Sequence, residues 1–130
     1  MTLQVPGRRT GRPVSCPLVV VNYQGERHLV AMLGQQANWV RNVRAVGGRA
    51  VLRHGTREAV RLEEVDVGER APILRRYLDY APGARPHIPV NRHAPLRAFA
   101  SIAARFPVFR ITADHPGASD ARRQKAGGPA

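Results

Sequence analysis

Arginine is the residue type in this chain whose number and spacing could support chemistry. Arg8, Arg9 and Arg12 fall within residues 7–13, a turn rich in Gly and Pro. A guanidinium group binds phosphate and carboxylate through paired, charge-assisted hydrogen bonds. The turn therefore suits a ligand with several anionic groups. A solvated turn without a ligand, and a contact with nucleic acid, stay open as alternatives.

The whole chain is strongly basic. Its 130 residues include 21 Lys and Arg against 9 Asp and Glu, which gives a net charge of +12. A positive potential of this kind speeds the capture of anionic ligands. A coding sequence rich in G and C, which favours Arg, Ala, Gly and Pro, would produce the same bias. Nucleic acid is the less favoured partner, because aromatic side chains for base stacking are few and none lies within the arginine turn.

Cysteine and histidine give little sign of a metal site or a covalent mechanism. Cys16 is the only cysteine, which excludes an internal disulfide and a cysteine-based metal cluster. The 5 histidines show no metal-ligand spacing, so no metal is expected. We expect Cys16 to be a small thiol facing the core, because neither a helix N-terminus nor a partner base is evident nearby. No catalytic residue is predicted.

A second group of candidate residues surrounds a short predicted helix. Its apolar positions recur as one helical stripe, namely Trp39, Val40, Val43 and Val46. Asn38 is predicted to cap its start, and Gly47 and Gly48 to end it. A helix that follows a strand and a Gly-containing turn directs free amides at an anion. A packing helix with a buried Trp39 is the competing interpretation, and the two are compatible.

The remaining pattern supplies the elements that would position these residues. Apolar and β-branched runs predict six strands, at 2–5, 14–23, 28–33, 49–53, 58–65 and 107–112. Helical spacing predicts two further helices, at 67–80 and 94–106. We expect an α+β fold with two to three helices, in which about six antiparallel strands close as a small barrel, since closure removes exposed edges.

The boundaries of the domain follow from composition. Residues 1–112 are predicted to form one barrel domain, and residues 113–130 a disordered tail rich in Gly, Ala, Pro, Asp and Arg. No apolar run is long enough to span a membrane, and no signal-peptide segment is present at the N-terminus. A cytoplasmic location is therefore expected.

The order of these parts resembles the deazaflavin (F420)-dependent nitroreductase family, within the split β-barrel superfamily of flavin reductases. The resemblance covers residues 2–112. Three motifs carry it: Gly-Arg-Arg-Thr-Gly-Arg-Pro at 7–13 followed by Pro17-Leu18, Trp-Val-Arg-Asn-Val at 39–43, and Pro-Val-Phe-Arg at 107–110. It implies a small antiparallel split β-barrel.

The resemblance also implies an activity. Members bind coenzyme F420, a deazaflavin with a phosphate and an oligoglutamate tail, and pass hydride to a quinone, a nitro compound or an activated alkene. The partner would then be a small-molecule electron acceptor. An FMN-binding reductase on the same fold, and a noncatalytic basic protein that carries F420 or binds nucleic acid, are the alternatives. Oligomeric state and contact with a membrane surface stay open.

Site residues follow from the same resemblance. The arginine turn would face the phosphate and glutamates, the segment 31–34 would offer backbone amides to the flat ring, and the helix would frame the ring. Tyr77 and Tyr80, one turn apart on the second helix, are candidates for the substrate pocket, although Tyr77 also suits the core. The implied coenzyme-binding residues are Arg8, Arg9, Thr10, Gly11, Arg12, Pro17, Ala31, Met32, Leu33, Gly34, Trp39 and Asn42.

Overall fold

A computed structural model describes residues 1–114, and the predicted tail from residue 115 onward lies outside the described residues. Seven strands form one antiparallel sheet that curls into a half-barrel, in the order β2-β1-β5-β6-β7-β4-β3. The strands are β1 (Thr2–Pro6), β2 (Pro13–Pro17), β3 (Val21–Tyr23), β4 (Glu26–Val30), β5 (Arg49–Arg53), β6 (Arg57–Glu64) and β7 (Val108–Ala113).

Helices connect the later strands. They are α1 (Asn38–Ala45), α2 (Ala71–Tyr80) and α3 (Leu96–Ile102), together with short 3-10 turns at Val67–Glu69, Pro82–His87 and Ala103–Arg105. The prediction of an α+β fold with a small antiparallel split barrel is confirmed. No helix within residues 1–114 has the length and apolar character needed to cross a membrane.

The prediction of a single strand at 14–23 is wrong, and this accounts for the seventh strand. It divides into β2 and β3, which lie at opposite edges of the sheet. The division follows Pro17, which has no N–H to continue a ladder. Leu18 N–H donates instead to the carbonyl of Met1 at 2.9 Å. The chain then crosses to a new partner, β4, with Val21 opposite His28.

The last strand also ends one residue later than predicted. Ala113 belongs to β7, and the N–H of Asp114 donates to the carbonyl of Ala59 at 3.0 Å.

The predicted helix at 67–80 begins as a 3-10 turn, and the one predicted at 94–106 shortens to α3 followed by another such turn. Pro95 sets the later start, because it occupies the cap position in extended conformation.

Two apolar clusters hold the fold together, and β4 and β7 divide them. Leu29 and Phe109 face the barrel interior, where they pack with the stripe of α1. Val30 and Val108, their neighbours in sequence, point to the opposite face and pack under α2 and α3. The alternation follows from the two-residue period of a strand. Each large side chain that is fully buried contributes about 1.5–3 kcal/mol.

The junction between α1 and β5 requires glycine. Gly48 is buried with φ of 87°, and a Cβ there would overlap the carbonyl oxygen of Leu62. Its N–H donates to Val43 O at 3.0 Å, and its carbonyl accepts from Leu62 N–H at 2.7 Å. The predicted glycine stop is therefore confirmed. It fixes the angle at which α1 leaves the sheet.

Candidate active site

An apolar cavity of about 480 Å³ opens between the end of β2, the start of α1 and the end of α2. Cavities of roughly 300–1,000 Å³ lined by hydrophobic side chains are typical of small-molecule and cofactor sites. Six of the residues predicted for the site line it, namely Pro17, Met32, Leu33, Trp39, Tyr77 and Tyr80. They come from three distant segments of the chain.

Trp39 forms the wall contributed by α1. Its side chain is 8% exposed, and its ring packs against Phe109 of β7 with centroids 5.5 Å apart and a 58° angle between planes. The contact fixes the indole from behind and leaves its other edge at the cavity. The helix begins at Asn38, but Asn38 is not the cap as predicted: Ala37 holds that position, and no side chain caps the amides.

The arginine turn is closed by its own hydrogen bonds. Gly7 N–H donates to Arg12 O and Gly11 N–H donates to Gly7 O, both at 2.8 Å. The Arg12 N–H also donates to Thr10 Oγ1 at 3.2 Å. Gly11 adopts a φ of 74°, a conformation that favours glycine. Arg9, Thr10, Gly11 and Arg12 are exposed on the turn and do not line the cavity.

Arg8 connects this turn to α1. Its backbone N–H and its Nη1 both donate to Oδ1 of Asn42, at 3.1 and 2.8 Å. Asn42 is buried, and it lies one helical turn after Trp39. The arginine turn and the wall of the cavity are therefore held by the same short helix. Desolvation first, and then the neighbouring positive charges of Arg41 and Arg9, lower the pKa of Arg8.

The segment 31–34 contains four backbone amides, of which two are engaged in hydrogen bonds and two are free to face the cavity. The N–H of Ala31 donates to Pro107 O at 2.9 Å, and that of Gly34 donates to Ala31 O at 3.0 Å. These two amides are engaged in holding the turn. The amides of Met32 and Leu33, between them, have no hydrogen-bond partner among residues 1–114. Both residues line the cavity, where these donors could meet a ligand carbonyl.

Tyr77 and Tyr80 differ in their surroundings. Tyr77 is 4% exposed, packs in the cluster under α2, and has a pKa raised by burial. Its hydroxyl has no hydrogen-bond partner within the described residues, yet it is not sealed in the core. The Tyr80 hydroxyl accepts from Arg76 Nη2 at 3.5 Å, and the Arg76 guanidinium lies 5.5 Å from the Tyr80 ring centroid. Of the two residues, Tyr77 is the one whose protonated hydroxyl is free to face the cavity.

Some cavity residues were missed by the sequence reasoning or assigned differently. Cys16, expected to face the core, is half-buried: it packs against the cluster that includes the stripe of α1, and it also lines the cavity. Burial raises the pKa of its thiol, which keeps it protonated at neutral pH. Ala81 and Ala84, from the turn after α2, also line the cavity. Nothing local marks such small apolar residues as site residues, because only the packing of the turn places them there.

Comparison with known proteins identifies the family of this chain. The family model of the F420H(2)-dependent quinone reductases matches residues 1–93. The chain belongs to this family. The match includes the arginine turn, Pro17 of β2, the segment 31–34, α1 and α2, which together hold every residue predicted for the site. Membership shows the general class, an oxidoreductase family that depends on F420H(2).

Solved structures of similar fold are more distant. The conserved hypothetical protein Rv2991 from Mycobacterium tuberculosis has 18% identity and a TM-score of 0.53, over 88% of this chain and 72% of that one. A putative 5-nitroimidazole antibiotic resistance protein from Bacteroides thetaiotaomicron has 12% identity and a TM-score of 0.47, with the same coverage. The first likeness shows a shared fold. No curated protein matches the chain.

Proposed function

We propose that this protein is an F420H2-dependent oxidoreductase that transfers hydride from the reduced deazaflavin to a quinone. Nitro compounds and activated alkenes would be acceptors of the same kind. One observation carries the proposal: the apolar cavity walled by Trp39 and the arginine turn are fixed to the same helix through Asn42. A coenzyme with a flat ring and an acidic tail needs these two surfaces side by side.

The residues present fit such a coenzyme. A flat ring suits the apolar walls formed by Trp39 and Leu33, and its carbonyl groups suit the unpartnered amides of the 32–33 turn. A phosphate and several carboxylates suit Arg9 and Arg12, which are exposed and make no ion pair within the described residues. These contacts support F420 as the coenzyme and leave FMN to be tested beside it.

The protein's own contribution would be binding, orientation and exclusion of water. When bound, the reduced coenzyme supplies the hydride. The apolar walls hold the acceptor ring close to it and keep water away, which strengthens every polar contact inside. The Tyr77 hydroxyl, whose pKa burial raises further above neutral pH, would donate a hydrogen bond to an acceptor oxygen and stabilise the charge that develops there.

Titration against both coenzymes tests the proposal. Purified protein is mixed with oxidised F420 and, separately, with FMN, and binding is followed by fluorescence. Turnover is then measured as loss of F420H2 in the presence of a soluble naphthoquinone. We expect saturable F420 binding and quinone-dependent oxidation. Absence of F420 binding at coenzyme concentrations where related sites saturate, or binding of FMN alone, would refute it.

A matched pair of variants locates the binding surface. Arg9→Gln removes one charge from the arginine turn and should weaken F420 binding by roughly tenfold, the value of one charge-assisted hydrogen bond. Arg97→Gln removes one exposed charge from α3, outside the cavity, and should change binding little. Equal losses in the two variants would mean that only the overall charge attracts the coenzyme.

A further inference from the structure

A second recess adjoins the apolar cavity and is not used by the proposed hydride transfer. It has a volume of about 310 Å³ and shares Met32 and Leu33 with the cavity. The two spaces therefore meet along one short stretch of backbone. The smaller one is here called the Arg105 recess, and its remaining lining residues are Gly34, His87, Arg105 and Phe106.

The two spaces differ in charge. Within residues 1–114, no charged side chain lines the cavity, whereas a guanidinium and an imidazole line the Arg105 recess without any carboxylate. The side chains of Arg105 and His87 are exposed and make no hydrogen bond or ion pair in the described part of the chain. Arg binds a carboxylate through paired, charge-assisted hydrogen bonds, and His can add a further N–H. Donors for an anion therefore lie beside a site for an apolar ring.

The 3-10 turn that carries Arg105 is fixed by side chains from two other segments. Arg70, which is 4% exposed, donates from Nη1 to the carbonyl of Ala103 at 3.1 Å. Gln35 donates from Nε2 to the carbonyl of Ala104 at 2.8 Å. The backbone position of the turn is thus set before a ligand arrives, and a site that is already formed loses less conformational entropy on binding.

The Arg105 side chain and backbone both lie close to the shared wall. A Cβ on Gly34, whose φ is 89°, would be 3.3 Å from the Arg105 carbonyl oxygen, so the turn packs directly against the end of the 31–34 segment. The Arg105 guanidinium lies 5.4 Å from the centroid of the Phe106 ring, a cation–π contact between two residues of the recess. This contact favours a side-chain position at the recess.

We propose that the Arg105 recess binds a carboxylate carried by the electron acceptor, whose ring occupies the apolar cavity. The inference rests on the proposed function. The arginine turn, assigned above to the phosphate and carboxylates of the coenzyme, contributes no residue to this recess. Coenzyme and acceptor would therefore have separate cationic anchors. The acceptor class that this arrangement selects is an acidic quinone or nitroaromatic compound rather than an uncharged one.

Two matched acceptors test the proposal with the full chain and F420H2. They are 2,3-dimethyl-1,4-naphthoquinone and the same compound with a carboxylate on its unsubstituted ring, and the methyl groups block addition of the Cys16 thiol. For the wild type we expect kcat/KM to be roughly tenfold higher with the carboxylate, mainly through a lower KM, which is the value of one charge-assisted hydrogen bond. Arg105→Gln should bring the ratio of the two kcat/KM values close to one. An unchanged ratio would overturn the proposal.

The control removes the same charge elsewhere. Arg97 is exposed on α3 and lines neither the cavity nor the recess, so Arg97→Gln should keep the preference for the carboxylate. An equal fall of the ratio in both variants would mean that only the overall charge attracts the acid, which overturns the proposal. A higher Kd for F420 in Arg105→Gln, with the ratio unchanged, would assign the recess to the coenzyme and overturn it as well.

Tryptophan fluorescence separates this inference from the proposed hydride transfer. Trp39 is the only tryptophan of the chain and lines the cavity, so quenching by either quinone reports binding without any coenzyme. Tighter binding of the carboxylate to wild type than to Arg105→Gln would support the recess even if F420H2 were not oxidised. Oxidation of F420H2 with no preference for the carboxylate in kinetics or in binding would keep the oxidoreductase and overturn the recess.

Discussion

Oδ1 of Asn42 accepts two hydrogen bonds from Arg8, one from the backbone N–H at 3.1 Å and one from Nη1 at 2.8 Å. The two residues are 34 positions apart in sequence. Asn42 is 3% exposed, so its Oδ1 is shielded from water and accepts hydrogen bonds from the arginine turn instead. The side chain thus acts as a positioning residue that keeps the arginine turn against α1.

Asn42→Ala should loosen this turn. Loss of the acceptor leaves the part-buried Arg8 N–H without its partner, which should cost about 1 kcal/mol. We expect a lower free energy of unfolding and a higher Kd for the coenzyme, measured by urea denaturation and fluorescence titration. Asn42→Asp keeps an oxygen acceptor beside Arg8 and should restore binding. A failure of Asp to rescue would argue against a positioning role.

Substitution of Gly47 and of Gly48, which follow α1, separates the stability cost of backbone strain from that of steric overlap. Gly47→Ala places a side chain at φ of 67° with open space around it, and should cost about 1–2 kcal/mol. Gly48→Ala adds an overlap with the Leu62 carbonyl, and should cost about 2–3 kcal/mol more. Thermal and urea denaturation measure both. Equal costs would show that the junction shifts to accept the methyl group.

Stability should depend on pH through Glu64. Its carboxylate accepts from Arg44 at 2.7 and 3.0 Å and from Arg70 at 3.1 Å, which joins β6 to α1 and to the start of α2. Arg44, by hydrogen bond and charge, and then Arg70 lower the pKa of Glu64. A pKa lower in the folded state means that this stability is present above the ordinary value of 4.5 and is lost as pH falls through the folded pKa.

Glu64→Gln should therefore be less stable than wild type at neutral pH and should approach it in acid. Urea denaturation across this pH range measures the convergence. Glu69→Gln is the control, because the Glu69 side chain makes no hydrogen bond or ion pair within residues 1–114. A constant gap between Glu64→Gln and wild type at every pH would mean that the substitution acts through packing.

Charge reversal at Arg57 of β6 should stabilise the sheet. Arg57→Glu converts the cross-strand pair with Arg53 from repulsive to attractive, and such pairs are worth about 0.2–1 kcal/mol. The free energy of unfolding should rise by roughly 1 kcal/mol at low salt, with a smaller gain at high salt. Arg97→Glu, outside any strand pair, should give no comparable gain. A loss of stability in Arg57→Glu would contradict the register.

Loss of the hydroxyl group should lower kcat more at Tyr77 than at Tyr80. Tyr77→Phe removes a hydroxyl that has no protein partner in the described chain, so folding should be preserved. If this hydroxyl donates to the acceptor oxygen, kcat should fall by about tenfold while coenzyme affinity is unchanged. Tyr80→Phe loses only the 3.5 Å contact from Arg76 and should keep most activity. Equal kcat values in Tyr77→Phe and wild type would remove Tyr77 from the mechanism.

Tertiary packing overruled the sequence at two local points. Leu18-Val19-Val20-Val21 reads as continuous strand by composition, yet Pro17 ends one ladder and the chain crosses the sheet before Val21 starts another. Asn38 has the right type for a cap, yet it is the first residue of the helix, and Ala37 holds the cap position with no side-chain cap. Local preference gives way because strand partners and helix entry are set by contacts with distant segments.

By itself the sequence determined the stripe of α1, the glycine stop after it, the composition of the arginine turn and the α+β class. These depend on short-range spacing and on backbone preferences of Gly and Pro, which nearby residues are enough to specify. Only the tertiary structure decided that Pro17, Met32, Trp39 and Tyr77 line one cavity, and that Asn42 holds Arg8. Those contacts join segments far apart in the chain, because burial of two apolar clusters on either side of β4 and β7 fixes where α1 and α2 lie.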